Sequence, residues 1–328
     1  MPGSMNGVVR GERQHDGKAR MSFVLKLDQK RERHWKDVFH RLMPDMPFHF
    51  YPDYGDPADV EYIAMWRPEP DLFTRFPNLR LVFSLGAGVD QFDLSTFPDH
   101  VGLVKMIEPS LTAGMVEYVT AFVLATHRDL PLYRTQQMQH LWKPHTERRA
   151  DRTSVGIMGM GTLGIPCAAA IRALGFNVRG WNRSHKDVDG VSMFVGNEQL
   201  DAFLAETDIL ISLLPLTPQT RGLFNNALFA RLPAGASVIN AGRGPQVVTD
   251  DLLAALDSGH LRWAVLDVTD PEPLPADSRL WDHPGVIITP HIASNTHPES
   301  GAESVINTIR NFQAGRTPEG LVDRQKRY

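Results

Sequence analysis

Three side chains in this sequence, of three different chemical types, stand just after apolar runs: Arg243 in "INAGRGPQVV", Glu272 in "LDVTDPEPLP" and His291 in "TPHIAS". Each sits on a turn whose backbone its neighbours restrict. Arg243 follows Asn240-Ala241-Gly242, Glu272 lies between Pro271 and Pro273, and His291 follows Thr289-Pro290. Reduction of a 2-oxo acid needs one group of each type: a cation for the carboxylate and polarised carbonyl, a proton donor for the developing alkoxide, and a carboxylate that keeps the donor protonated. Taken singly, the three have ordinary readings as a surface ion-pair partner, a structural histidine and a solvated loop acid. Their joint occurrence at strand ends makes Arg243, Glu272 and His291 the candidate catalytic set.

A second constellation supplies a place for a dinucleotide. In "SVGIMGMGTLGIPCAAAIRALG", Gly159, Gly161 and Gly164 form GxGxxG between an apolar run and a helical pattern, with Met160, Thr162 and Leu163 filling the turn. Gly159 allows the tight turn and Gly161 lets backbone amides approach a pyrophosphate. Gly164 permits close helix packing, and the helix N-terminus adds partial positive charge. About 20 residues on, such sites usually carry an acid that holds the ribose hydroxyls of NAD and repels the extra phosphate of NADP. Here the position is neutral Asn182. Arg183, Ser184 and Lys186 follow it, offering a planar fork of donors, a hydroxyl and a further charge, so the segment suits a phosphate dianion better than a diol. The expected cofactor is therefore NADP(H) in preference to NAD(H), and no metal site is expected.

These residues need a scaffold, and the chain has the length for one. At 328 residues it is about twice the usual domain size. Its 42% hydrophobic and 22% charged residues, with a net charge of −4, are ordinary and give no bias toward nucleic acid or anionic membrane. No apolar run approaches the roughly 18 to 20 residues of a membrane helix. Cys167 is the single cysteine, so no intramolecular disulfide is possible; together these features point to the cytoplasm. Residues 1–20 read as a disordered extension or cloning remnant, with Met21 the candidate natural start.

Strand patterns and amphipathic helices alternate along the rest. Residues Ser22 to Leu27, "FHFY", "EYIAMW" and "LRLVFSLGAG" read as strands of one series, with "RERHWKDVFHRLM" a helix among them. A long helix from about Leu111 to Thr126 leads through a polar stretch to a second series: "SVGIMG", "NVRGW", "DILISLLP", "ASVINAG", "WAVLDV" and "GVIITP". These continuous apolar runs are of the kind buried on both faces of a parallel sheet. After Pro298, "ESVINTIRNFQAG" reads as a helix ended by Gly315 that returns to the first series. The expected fold is thus α/β, with two Rossmann-like, doubly wound parallel-sheet domains: a flavodoxin-like substrate domain (21–119 and 298–328) and an inserted dinucleotide-binding domain (120–297).

The sequence resembles the D-isomer-specific 2-hydroxyacid dehydrogenase family, in particular its glyoxylate/hydroxypyruvate reductase branch. The likeness runs over nearly the whole chain through "SLGAGVD" at 84–90, "VEYV" at 116–119, "VGIMGMGTLG", "WNRS", "LLPLTPQTRGLFN" at 213–225, "INAGRG", "LDV…EPLP" and "TPHIAS", in the family's order. It implies Arg243 as substrate clamp, Glu272 as the partner of the histidine, and His291 as the proton donor in reduction. It also implies that backbone amides near Ala87 and Gly88 hold the substrate carboxylate, that Leu216, Thr217 and Ala241 lie beside the cofactor, and that Asp267 binds the nicotinamide amide. On residue type alone, Gly86 and Gly88 can equally shape a tight loop and Asp267 can cap one. Trp66 and Trp142 resemble aromatic positions near the substrate mouth of this branch and are left outside the candidate set. Asn182 departs from the wider family toward its NADP-using members, and Met115 and Glu117 are further particulars of this chain.

The expected activity is NADPH-dependent reduction of glyoxylate or hydroxypyruvate to a D-2-hydroxyacid. The resemblance further implies a homodimer through the long helix and following arm, about residues 111–149. Rival readings are a D-lactate- or phosphoglycerate-type dehydrogenase and a non-catalytic dinucleotide-sensing interaction protein. The second is disfavoured by the lack of a partner-binding tail or a nucleic-acid footprint.

Overall fold

The computed structural model describes residues 21–27 and 29–324, so the extension expected at 1–20 lies outside the described residues. Five strands, β1 (Ser22–Lys26), β2 (Phe48–Phe50), β3 (Val60–Met65), β4 (Leu81–Ser84) and β5 (Gly102–Val104), pair in parallel in the order β2-β1-β3-β4-β5. This is the flavodoxin-like order. Helix α1 (Gln29–Leu42) covers one face and the short α2 (Leu72–Arg75) follows β3. Apolar residues Trp35, Val38, Phe39 and Leu42 recur along α1 at helical spacing, and the first three are buried.

Helix α3 (Pro109–His127) leads out of this sheet. It starts cleanly because Pro109 occupies the first turn and buried Glu108 accepts hydrogen bonds from the amides of Ser110 (2.8 Å) and Leu111 (3.0 Å). After a corner comes α4 (Leu130–Met138), inside the stretch read from sequence only as polar. The corner is anchored by Asp129, which is buried and pairs with Arg262 at 2.7 Å.

The second sheet has seven parallel strands: β6 (Ser154–Met158), β7 (Asn177–Asn182), β8 (Ser192–Val195), β9 (Ile209–Ser212), β10 (Ala236–Asn240), β11 (Leu261–Leu266) and β12 (Val286–Ile288). Their order is β12-β11-β10-β9-β6-β7-β8. The order reverses at β6, as in dinucleotide-binding sheets. Helices α5 (Gly164–Ala173), α6 (Leu200–Leu204), α7 (Asn226–Phe229) and α8 (Thr249–Asp257) accompany these strands. Helix α9 (Pro298–Gln313) then returns to the first sheet, where Ala302, Val305, Ile306 and Ile309 join Phe23, Trp35 and Phe39 in one core. Gly315, at φ 76°, closes it in the left-handed conformation a helix end favours.

The boundary expected between residues 119 and 120 falls inside α3. Leu111 packs in the core of the first sheet, whereas Met115, Tyr118, Val119 and Val123 pack with Val155, Ile157 and Ile171 of the second. Strands β5 and β8 escaped the sequence reading because each is a short edge element, three and four residues long, without a sustained pattern. Among the described residues no helix is long and apolar enough to cross a membrane, and no cluster of His, Cys, Asp or Glu side chains could hold a metal ion.

Cys167 lies in the core between α5 and the second sheet, where burial pushes its thiol up to about 12. Since the thiolate is the reactive form, the folded protein is expected to resist alkylation by iodoacetamide at neutral pH and to take up one equivalent on denaturation. Mass spectrometry before and after urea checks this, and rapid native labelling would contradict the packing.

Candidate active site

The carboxyl ends of both sheets open into one cleft of about 980 Å³, and the segment after each strand except β2 contributes to its wall. Strand ends of an α/β sheet gather there because the connections to the following helices leave that edge open. Arg243, His291, the Ala87–Gly88 loop, the Gly159–Gly164 turn and the Asn182–Lys186 segment all line it.

Arg243 follows β10. Its Nε donates to Asp90 Oδ1 at 2.8 Å and Nη1 donates to the Gly242 carbonyl at 2.8 Å, which leaves Nη2 against Gly88. A Cβ at residue 88 would collide with the guanidinium, so this approach requires glycine there. The backbone carrying Arg243 is pinned as well. Buried Gln246 accepts from the Arg243 amide (3.0 Å) and donates to the carbonyls of Leu214 (3.0 Å) and Pro215 (3.1 Å), while Asn240 Nδ2 donates to the Arg243 carbonyl (3.0 Å). Asp90 and Gln246 carried no role in the sequence reading. The available signal was the acid closing "SLGAGVD" and a glutamine inside an otherwise apolar stretch.

The substrate-side loop is shaped by Ser84, whose Oγ donates to the Gly88 carbonyl at 2.8 Å. The amides of Ala87 and Gly88 meet no protein acceptor among the described residues. Trp66 packs over Gly86, and its ring meets His291 edge to face with centroids 5.9 Å apart. Trp142 is 99% exposed on the segment after α4 and does not line the cleft.

His291 faces Glu272 across 2.7 Å between Nδ1 and Oε1, so Nε2 is the nitrogen left for the cleft. Glu272 stands behind the histidine, outside the cleft wall. The His291 backbone has φ 54°, a left-handed conformation that costs a non-glycine residue on the order of 1 to 3 kcal/mol. The surrounding bonds hold it there: the His291 amide donates to the Asp267 carbonyl at 2.8 Å.

Asp267 is 2% exposed and its carboxylate is largely committed to this loop. Oδ1 accepts from Thr289 Oγ1 (2.7 Å) and the Ile292 amide (2.8 Å), and Oδ2 accepts from the Ala293 amide (2.9 Å). Of about four acceptor positions on a carboxylate, three are used within the protein. Asp267 thus has the loop-capping contacts, with one position remaining at the cleft.

At the other end, the Gly159 backbone adopts φ 105°, and a Cβ there would stand 2.8 Å from the Leu213 carbonyl. At Gly164 a Cβ would strike the Gly159 carbonyl, whereas at Gly161 it would meet open space. Thr162, Leu163 and Gly164 line the cleft at the start of α5, whose first turn leaves amides without helical acceptors. Two of the expected cofactor-contact residues do not line the cleft with the others. Met160 is fully buried and packs over Gly180, because the tight turn swings it into the core rather than the cleft. Leu216 stands half-buried outside the wall, which is formed there by its neighbours Pro215 and Thr217.

Asn182 ends β7 and donates from Nδ2 to the Ser184 carbonyl at 3.0 Å, so it shapes the turn that presents Arg183 and Ser184. Lys186 crosses to the glycine turn, where Nζ donates to the Met160 carbonyl at 2.8 Å. Ala241 and Thr217 complete the wall.

Residues 120–293 match the family model for the D-isomer specific 2-hydroxyacid dehydrogenase, NAD binding domain. A curated relative, glyoxylate/hydroxypyruvate reductase A of Yersinia enterocolitica, is 42% identical over 280 residues, covering 84% of this chain and 90% of the relative. The crystal structure of a D-isomer specific 2-hydroxyacid dehydrogenase from Xanthobacter autotrophicus in complex with NADPH and MES superposes with a TM-score of 0.89 at 38% identity, covering 94% of this chain and all (100%) of that one. The NADPH-dependent glyoxylate/hydroxypyruvate reductase of Sinorhizobium meliloti, in complex with NADP and sulfate, gives 0.87 at 38% identity with the same coverage, 94% and 100%. A family match over more than half of the residues, joined to relatives aligned over most of their length, leads to one conclusion: this chain belongs to the D-isomer specific 2-hydroxyacid dehydrogenase family.

Proposed function

We propose that this protein is an NADPH-dependent reductase of a small 2-ketoacid, glyoxylate or hydroxypyruvate, yielding the D-2-hydroxyacid. The observation that carries this reading is the meeting of Arg243, the His291–Glu272 pair and the glycine turn around one cleft. The named activity of the Yersinia and Sinorhizobium relatives supports it.

In this reading the substrate carboxylate is held by the Ala87 and Gly88 amides together with Arg243 Nη2, a charge-assisted arrangement. Arg243 also faces the carbonyl oxygen, where negative charge grows. His291 delivers a proton from Nε2 to that oxygen as it becomes an alkoxide, and Glu272 orients the ring through Nδ1 and balances its charge. The cofactor fits the residues present: Gly161 leaves room for a pyrophosphate beside the α5 N-terminus, and Asp267 keeps one acceptor position for a carboxamide. When bound, the reduced nicotinamide supplies the hydride. The first sheet with α9 forms the substrate domain and the second sheet the cofactor domain, with α3 passing from one core to the other, and their approach excludes water from the reacting atoms.

Arg183, Ser184 and Lys186 hold the 2′-phosphate, with Asn182 removing the charge that would repel it. Arg183→Ala is expected to lower the NADPH to NADH ratio of kcat/KM by about tenfold, the value of one charge-assisted hydrogen bond. Asn182→Asp is expected to lower it further. Steady-state kinetics with both cofactors test this, and a ratio that neither variant moves contradicts the cofactor assignment.

A homodimer is part of the same proposal. Leu130, Met138, Leu141 and Trp142 are exposed along α4 and the segment after it, an arm that is costly to order alone. So is a reducing, cytoplasmic setting, in keeping with the single, buried Cys167.

A further inference from the structure

The His291 loop is tied to α3 as well as to β11. Tyr118, on α3 and 8% exposed, places its hydroxyl 2.7 Å from Thr289 Oγ1, which lies 2.7 Å from Asp267 Oδ1. The direction of this chain follows from valence. A carboxylate only accepts, so the single Thr289 proton goes to Asp267, and Thr289 Oγ1 in turn accepts from Tyr118. Burial raises the Tyr118 hydroxyl well above the usual tyrosine value, and the Thr289 bond offsets only part of that, so the group remains a donor at any assay pH. From Asp267 the chain reaches the amides of Ile292 and Ala293, and through the Asp267 carbonyl the amide of His291 itself. On the far side of the loop Ser294 Oγ donates to the Leu111 carbonyl at 2.7 Å, so α3 holds the loop at two points.

We propose that Tyr118 is a positioning residue for the proton donor: its hydroxyl, acting through Thr289 and Asp267, fixes the backbone that presents His291 to the cleft. A left-handed histidine is an arrangement the loop would leave if its bonds loosened. Because α3 runs from the core of one sheet to that of the other, the same contact makes the placement of His291 depend on the helix that joins them. Buried hydrogen-bond chains of this kind specify one geometry when every member is satisfied. The inference rests on the reading of His291 as proton donor, and its test includes a measurement that does not.

Tyr118→Phe keeps the ring and removes the hydroxyl. It is expected to lower kcat with NADPH and glyoxylate by about 3- to 10-fold, the effect of one network hydrogen bond, with KM and NADPH affinity within about twofold. Thr289→Val is expected to behave alike, and Thr289→Ser, which keeps a hydroxyl, to regain most of the rate. Combined with His291→Ala, the Tyr118→Phe effect is expected to vanish, since coupled residues are not additive. Unchanged kcat in Tyr118→Phe, a serine at 289 as poor as valine, or a full additional loss in the His291→Ala background each overturns the proposal. Hydrogen–deuterium exchange without substrate separates this from the function itself: Tyr118→Phe should speed exchange in residues 289–294 selectively. If the wild-type protein turns over no 2-ketoacid, the functional reading fails while the exchange result still decides the positioning role, and unaltered exchange sinks it.

Discussion

Replacing His291 with alanine is expected to lower kcat for 2-ketoacid reduction by about 10²- to 10⁴-fold, the range for loss of a positioned general acid. KM for the ketoacid and NADPH affinity should change little, because in the proposed mechanism the ring acts on charge that appears only in the transition state. His291→Asn is the sharper variant: asparagine accepts a left-handed backbone more readily than other non-glycine residues, so the φ of 54° is kept while the proton donor is lost. Both variants should remain folded by thermal melting, since His291 is a loop residue with its side chain 30% exposed. Glu272→Gln should act in the same direction with a smaller effect, because an amide still meets Nδ1 at the 2.7 Å position but no longer balances the imidazolium charge. Turnover of His291→Asn near the wild-type rate would remove the histidine from the mechanism.

The second large effect is expected at Arg243. Arg243→Ala should reduce kcat/KM by about 10³-fold or more, split between kcat and KM, because in the proposed mechanism the guanidinium both holds the substrate carboxylate and faces the oxygen that gains charge. The structure adds a reason for the loss to be severe. Without the guanidinium, Asp90 keeps a carboxylate at the same wall, beside the place meant for an anion. Arg243→Lys is not expected to restore function, since one ammonium cannot meet Asp90, the Gly242 carbonyl and a substrate together in the planar fork the site uses. Adding Asp90→Asn to Arg243→Ala should recover part of KM by removing the repulsion. Steady-state kinetics on the three variants check the set, and wild-type KM in Arg243→Ala would contradict the clamp.

The parts of this molecule legible in its sequence are those that local pattern encodes. Continuous apolar runs marked the central strands of both sheets, and the spacing of Trp35, Val38 and Phe39 marked α1. Of the three glycines of the β6–α5 turn, Gly164 answers a steric demand within a few residues, from the Gly159 carbonyl, whereas Gly159 is pressed by the Leu213 carbonyl after β9 and Gly161 faces open space. What escaped depends on pairing over distance. Asp90 meets Arg243 across 153 positions of chain, and Tyr118 meets Thr289 across 171, so no local spacing announces either contact. Asp267 had two readings by residue type, and only the positions of the Thr289, Ile292 and Ala293 donors reveal how much of its carboxylate the loop consumes. Met160 sits within the glycine fingerprint, yet its side chain packs over Gly180 in the core. The short edge strands β5 and β8 have too few residues to show a period at all.

The most direct measurement is NADPH oxidation by the purified wild-type protein with glyoxylate, hydroxypyruvate, pyruvate and phenylpyruvate, repeated with NADH. The proposed function predicts turnover with the highest kcat/KM for glyoxylate or hydroxypyruvate, and a clear preference for NADPH. Tight NADPH binding without turnover on any of the four acids, or equal rates with the two cofactors, would contradict it.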